Sequence, residues 1–216
     1  LDGGTLLVGV PRYTPDFQQF QGAAFVYTGS GATWTRQAIL LASDGVAEDT
    51  FGLSVALSGD TALIGAPSDD VEANNGQGSA YVFVRDGTIW SEQAHLIAPD
   101  GQAGDFFGQD VALSGDTALV GANGDDIGSV MEQGSAYVYV RSETAWSFQA
   151  KLLASDGTYS DGFGRAVALY GDEALVGAIS DDVGANQDQG SAYLFRRNGS
   201  EWTEHAHLIA SDGGES

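Results

Sequence analysis

The sequence predicts an all-β fold: a β-propeller built of four 56-residue, four-stranded blades, the first lacking its first strand. Three observations carry this expectation. Trp34, Trp90, Trp146 and Trp202 recur at a constant step of 56 residues, and Gly22, Gly78, Gly134 and Gly190 keep the same step. Within each step, short apolar segments of strand length alternate with turns rich in Gly and Asp, and no window has helical periodicity. Residues 79–85 are apolar on both faces, with Ala80, Val82 and Val84 on one and Tyr81 and Phe83 on the other. A small sheet of that kind has to be covered on both sides. Four-stranded units stacked face to face, with a polar outer strand, describe propeller blades. The alternative, a β-solenoid, usually repeats at about 20–30 residues.

The second unit shows each element in order. Residues 54–57 form the first strand, and Ser58-Gly59-Asp60 turns the chain, Gly supplying a positive φ and Asp bonding the local backbone. Thr61 to Ala66 is the second strand, followed by a polar stretch over 67–77. Residues 79–85, rich in β-branched and aromatic side chains, are the third strand. Asp86-Gly87 makes the next turn, and residues 90–97, with Ser91, Glu92, Gln93 and His95, form a more polar outer strand. The repeats run approximately 1–45, 46–101, 102–157 and 158–216 within a single domain, 15 strands in all. Such a chain either closes as a four-blade ring one strand short or forms an arc of a larger propeller. The arc is favoured; it leaves apolar faces and unpaired edges on the terminal blades.

Composition narrows the function. The chain carries 8 Lys+Arg against 30 Asp+Glu, a formal net charge of −22, and no Cys. Disulfides, thiolate metal sites and cysteine nucleophiles are therefore excluded. A surface this negative repels phosphates, which argues against nucleic acid, and it attracts cations and basic partners. At low ionic strength the charge repels itself, so stability is expected to rise with salt or Ca²⁺. No run of 18 apolar residues exists, so membrane insertion by a helix is not expected.

Phe51-Gly52 is followed by Gly65-Ala66-Pro67, Phe107-Gly108 by Gly121-Ala122-Asn123, and Phe163-Gly164 by Gly177-Ala178-Ile179, while the first unit keeps Gly9-Val10-Pro11. This pattern resembles the FG-GAP repeat, the blade of integrin α-subunit propellers and of many bacterial surface proteins. The Gly-Ser-Ala-Tyr strand at 78–81, 134–137 and 190–193 is most similar to the bacterial variant. The resemblance implies a secreted or cell-surface module without catalysis, serving adhesion, ligand binding or assembly. Its partners would be a protein or glycan ligand, with self-association through open terminal blades. The alternatives are a carbohydrate-binding or carbohydrate-active propeller, and a structural subunit that polymerises by strand complementation. One feature of integrin-like blades is missing. Their calcium loop between first and second strands is replaced by Ser58-Gly59-Asp60, Ser114-Gly115-Asp116 and Tyr170-Gly171-Asp172, too short to wrap a Ca²⁺.

Candidate sites lie elsewhere. Asp69-Asp70, Asp125-Asp126 and Asp181-Asp182 recur after the second strand. Adjacent carboxylates repel and a hard divalent cation relieves them, so Ca²⁺ is the cofactor these loops suit. The competing interpretation is an ordinary solvated turn. Asp44 and Asp49, with Asp100, Asp105, Asp156 and Asp161, precede each Phe-Gly and read as caps of an inter-blade loop. Residues 11–20 break the repeat with a basic, aromatic, Pro-rich segment, which makes Arg12, Tyr13, Phe17 and Phe20 the candidate partner-binding residues. A drifted terminal repeat explains them equally well. The Trp residues read as wedges between blades. His95 and His207 share a repeat position with Ile39 and Lys151, which reads as a solvent-facing place without function. With no histidine set beside a nucleophile and no carboxylate pair singled out, an enzyme is not expected.

Overall fold

The computed structural model describes residues 1–211. The first sheet holds β1 (Thr5–Val10), β2 (Ala23–Ser30) and β3 (Thr33–Leu40). The second holds β4 (Ser54–Ser58), β5 (Thr61–Ala66), β6 (Ser79–Asp86) and β7 (Ile89–Leu96). The third comprises β8 (Val111–Ser114), β9 (Thr117–Ala122), β10 (Ser135–Ser142) and β11 (Ala145–Leu152). The fourth comprises β12 (Phe163–Tyr170), β13 (Glu173–Ala178), β14 (Ser191–Asn198) and β15 (Glu201–Leu208). Every sheet is an antiparallel meander in chain order, and the first lacks its inner strand, as the repeat phase requires. The outer strand begins one residue earlier than the sequence suggests, because Asp86 still pairs with Ile89 and the turn falls on Gly87-Thr88. Residues 212–216 of the fourth repeat lie outside the described part.

The two-faced apolar strand is what stacks the sheets. Tyr81 and Phe83 of β6 pack with Leu7, Val26 and Leu40 of the first sheet, while Ala80 and Val82 of the same strand pack with Phe107, Val120 and Tyr137 of the third. A third cluster of the same make-up joins the third and fourth sheets. Phe51, Phe107 and Phe163 are wholly buried between sheets, as core packing demands. Among the described residues no buried cluster joins the fourth sheet to the first, so the blades run in series without closing.

The glycines of the repeat mark the joint between blades. Gly22, Gly78 and Gly134 each bridge, in parallel, to the Phe of the following Phe-Gly. Gly78 sits at φ +82°, and a Cβ there would overlap the Phe107 backbone. A Cβ on Gly65 would overlap the carbonyl oxygen of Gly108, and Gly9 and Gly121 stand in the same relation to Gly52 and Gly164. The rim of the joint is polar. Trp90 Nε1 donates to Gln37 Oε1 of the preceding sheet, and Trp146 and Trp202 donate likewise to Gln93 and Gln149, each at 2.9 Å. Arg85, Arg141 and Arg197 lie over those indoles at 5.2–5.3 Å and donate to Thr5, Thr61 and Thr117 of the preceding unit. They also pair with Asp60, Asp116 and Asp172 and so neutralise the turn carboxylates beside them. Trp34, in the first described sheet, donates instead to Gly31 O.

Candidate functional site

Each tandem Asp pair splits. Asp69, Asp125 and Asp181 are buried, whereas Asp70, Asp126 and Asp182 are exposed. The exposed members close their own loops: Asp70, Asp126 and Asp182 accept the backbone N–H of Gly76, Glu132 and Asp188 at 2.7, 2.8 and 2.9 Å. The buried members turn inward. Asp69 accepts from Ser79 Oγ and from Tyr81 Oη, and Asp125 from Ser135 Oγ and Tyr137 Oη. Asp181 lies 3.1 Å from Tyr193 Oη. The two carboxylates of each pair thus serve different partners. Among the described residues no group of three or more His, Cys, Asp or Glu is placed to hold one metal ion.

The tyrosine hydroxyls carry the inward carboxylates toward the inter-blade linkers. Tyr81, Tyr137 and Tyr193 each lie 2.9 Å from a linker carboxylate, Asp44, Asp100 and Asp156 respectively. A basic side chain completes each constellation. The His95 ring stacks on Tyr81 at 4.4 Å, with Nδ1 3.5 Å from Asp44 and Nε2 3.6 Å from Asp69. His207 repeats this on Tyr193, 3.4 Å from Asp156 and 3.1 Å from Asp181. In the third unit Lys151 Nζ sits 2.8 Å from both Asp100 and Asp125. The position is at the surface as expected, but it is occupied: each side chain clasps a linker carboxylate to a buried one. The first unit explains why Ile39 is tolerated there. Tyr13 takes the place of Asp69 and Phe25 that of Tyr81, and the two rings meet edge-on at 5.4 Å, so no carboxylate awaits a cation.

Protonation follows this geometry. Burial pushes Asp69 up, but hydrogen bonds from His95, Ser79 and Tyr81 outweigh it and hold the carboxyl below the usual range. Burial pushes His95 down, yet its bond to Asp69 and the charges of Asp44 and Asp69 hold it above its ordinary 6.5. Lys151 is raised in the same way by Asp100 and Asp125, against the effect of burial.

The broken repeat builds a different feature. The linker after β3 zips onto the loop after β1, with Glu48 N–H donating to Gln19 O at 2.8 Å and Thr50 N–H to Phe20 O at 3.2 Å. Between them opens a cavity of about 610 Å³ lined by Arg12, Phe20, Glu48, Asp49, Ser68 and Asp70, among others. The Arg12 guanidinium lies 5.9 Å from the Phe20 ring. Asp49 is only 3% exposed; its Oδ2 accepts the Val46 N–H, the backbone cap expected from the sequence. Burial, with the nearby charges of Asp69, Asp70 and Asp44, pushes its carboxyl up to about 7 despite that hydrogen bond. The structure therefore gathers Arg12 and Phe20 with Asp70. It places Tyr13 outside the cavity, against Phe25, and leaves Phe17 fully exposed at the loop tip. Glu48, Thr50 and Ser68 were not singled out in the sequence; the constant spacing from Gly22 to Phe51 is the signal that sets the linker against this loop. At the corresponding place on the third joint the cavity shrinks to about 250 Å³, with Gly124 and Glu132 standing where Arg12 and Phe20 do.

A family model of the FG-GAP repeat matches residues 34–83, 90–139 and 146–195, more than half of the chain. The chain belongs to the FG-GAP repeat family. Each matched FG-GAP segment begins at a Trp of one outer strand and ends in the third strand of the next blade, so the sequence repeat contains one whole joint. Mouse integrin alpha-2 is 28% identical over 121 residues, covering 52% of this chain and 10% of that protein. The chain spans about a tenth of the length of this relative. It is an integrin-like FG-GAP propeller module, and none of its described helices is long and apolar enough to cross a membrane.

Proposed function

We propose that this FG-GAP module binds a protein ligand outside the cell or at its surface, without catalysis, and that a basic segment of the ligand enters the cleft between residues 11–20 and the second unit's linker. The observation that carries this reading is the break in symmetry: one joint of three has a large opening with an aromatic ring, a guanidinium and three carboxylates on its walls. Glu48, Asp49 and Asp70 suit an ammonium or guanidinium group, and Phe20 suits the apolar stem behind it. Arg12 offers a donor to the ligand's carbonyl or carboxylate oxygens. The net charge of −22 steers basic partners toward the module. A protein ligand is favoured over a glycan, because Arg85, Arg141 and Arg197 lie over Trp90, Trp146 and Trp202, the rings a sugar would need. Adhesion and location rest on the likeness to an integrin α-subunit.

Short basic, neutral and acidic peptides, followed by fluorescence anisotropy, test this. The basic peptide should bind best, and Asp70→Asn and Phe20→Ala should each weaken it ~10-fold, a loss of about 1.4 kcal/mol. Binding should tighten as pH rises through about 7, where Asp49 loses its proton. Equal affinity for the three peptides, or variants that bind like the parent, would contradict the proposal.

A further inference from the structure

Each joint carries the chain through three left-handed places, one in the loop after a unit's second strand and two in the linker that meets it. At the second joint two of them are Gly76 and Gly104, which adopt that backbone freely, and the third is Phe106 at φ +56°. At the third joint one is Gly162, and the others are Glu132 at φ +52° and Ser160 at φ +62°. Side chains stand at these places against the preference of the backbone. Phe106, Glu132 and Ser160 all line one cavity of about 250 Å³, together with Asn123, Ile179 and Ser180. The same places in the first joint, Phe20, Glu48 and Thr50, line the cleft beside Arg12. Backbone held in this way concentrates where ligands bind.

The surroundings of this cavity are apolar in a way no other joint repeats. Met131 and Tyr159 are 55% and 65% exposed; they precede Glu132 and Ser160, and the Ser160 N–H donates to Met131 O at 3.1 Å. The other units carry Gln19, Asn75 and Gln187 at the first of these positions, and Ala47 and Ala103 at the second. Phe106 and Ile179, in the cavity wall, are 41% and 56% exposed. Four large apolar side chains therefore stand open around one small opening, whereas single exposed ones are ordinary. The polar groups among them are acceptors in search of a donor. Glu132 accepts from Ser160 Oγ at 3.2 Å, and Asn123 Oδ1 is buried with no hydrogen-bond partner. No Lys or Arg lines the cavity.

We propose that this cavity, flanked by Met131 and Tyr159, is a binding site for a tryptophan side chain of a protein ligand. An indole has a large, rigid apolar body and a single N–H donor with no acceptor. Its body matches Phe106, Met131, Tyr159 and Ile179, and its N–H matches an acceptor that the chain itself leaves open at Asn123. The Met131 thioether favours an aromatic neighbour. A phenyl ring would leave Asn123 unpaired, and a lysine would meet four apolar groups and one carboxylate already engaged by Ser160. The proposal rests on the reading of the module as a binder of protein, but not on the cleft beside Arg12, which is built from other residues.

Fluorescent neutral peptides that differ only in their central residue, followed by anisotropy, test this. The tryptophan peptide should bind saturably. Peptides with phenylalanine, or with tryptophan methylated on the indole nitrogen, should bind ~10-fold more weakly, and a lysine peptide more weakly still. In the protein, Met131→Gln and Tyr159→Ala install the residues of other units, so each should keep the melting temperature and still weaken the tryptophan peptide ~10-fold. Asn123→Ile, after the Ile179 of the fourth unit, should erase the difference between the indole and its methylated form. An excess of the basic peptide should not displace the tryptophan peptide. The proposal is overturned if the four peptides bind alike or not at all, if the lysine peptide binds best, if Met131→Gln and Tyr159→Ala both leave binding intact, or if the basic peptide competes. A basic peptide that fails to bind while the tryptophan peptide still does would overturn the cleft alone.

Discussion

Replacing Phe107 by alanine should remove about 3–5 kcal/mol of stability, whereas replacing its neighbour Phe106 should remove less than ~1 kcal/mol. The two rings are adjacent in sequence and differ in what the repeat does with them. Phe107 is wholly buried, edge-on to Tyr137 at 5.4 Å and to Tyr139 at 6.1 Å, inside the cluster that joins the second and third sheets. Phe106 is 41% exposed, at φ +56°, a conformation that gains little from a side chain. Removing Phe107 opens a cavity at the centre of the joint between the second and third sheets. Blades in series are held only by their neighbours, so the loss should also divide unfolding into two steps, first and second sheets apart from third and fourth. Urea unfolding followed by Trp fluorescence reads both effects; equal costs for Phe106→Ala and Phe107→Ala would contradict the account.

Lys151→Met should cost about 2–3 kcal/mol, because it leaves Asp125, 2% exposed, facing Asp100 with no counter-charge. The first unit supplies the compensation. Adding Asp100→Asn, Asp125→Tyr and Tyr137→Phe recreates its Ile39, Tyr13 and Phe25 environment in kind and should recover most of the loss, a non-additivity that a plain packing defect would not show. The clasps also give stability a pH dependence of definite sign. His95 is raised above 6.5, so its contribution is complete below that pH and is lost as pH rises through its folded value. Asp49 and Asp105, raised from 3.8 to about 7 and about 6, act in the same direction, since the folded chain holds protons that the unfolded chain releases. Asp69 and Asp100 are lowered, so the stability they add is lost as pH falls below the ordinary carboxylate range. The melting temperature should therefore peak on the acid side of neutrality and fall toward pH 8. In Lys151→Met that slope should persist, carried by His95 and Asp49, which lie outside the third clasp, while Asp105 loses the charge of Lys151 that lowers it and should be raised further; a flat profile would contradict the assignment.

The joints were legible in the sequence because they are made by residue types at a fixed step. Phe-Gly, Gly-Ala, Gly-Ser-Ala-Tyr and Trp recur with the same spacing, and two apolar faces on one strand leave little choice but stacking. The tandem carboxylates were harder to read. Asp69 and Asp70 are neighbours in sequence, but one is drawn inward by Ser79 and Tyr81 while the other caps the N–H of Gly76, and spacing carries no sign of that division. The row Ile39, His95, Lys151 and His207 read as idle because it varies. Its meaning lay in a correlated change: the unit that lacks the Asp pair is the unit with Ile. The cleft depended on a linker meeting a loop about thirty residues away, a proximity visible only once the joint is built.

Amide hydrogen exchange measures the central claim, that one joint repeated three times holds four small sheets in series. Phe51, Phe107 and Phe163 donate their N–H across the joints to Gln21, Gln77 and Gln133 at 2.9, 2.8 and 3.0 Å. The account predicts that these three amides are protected as strongly as those of β5 and β9, where only cooperative opening exposes them. Exchange of the three at the rate of the exposed loops would mean that the sheets are not joined in this way.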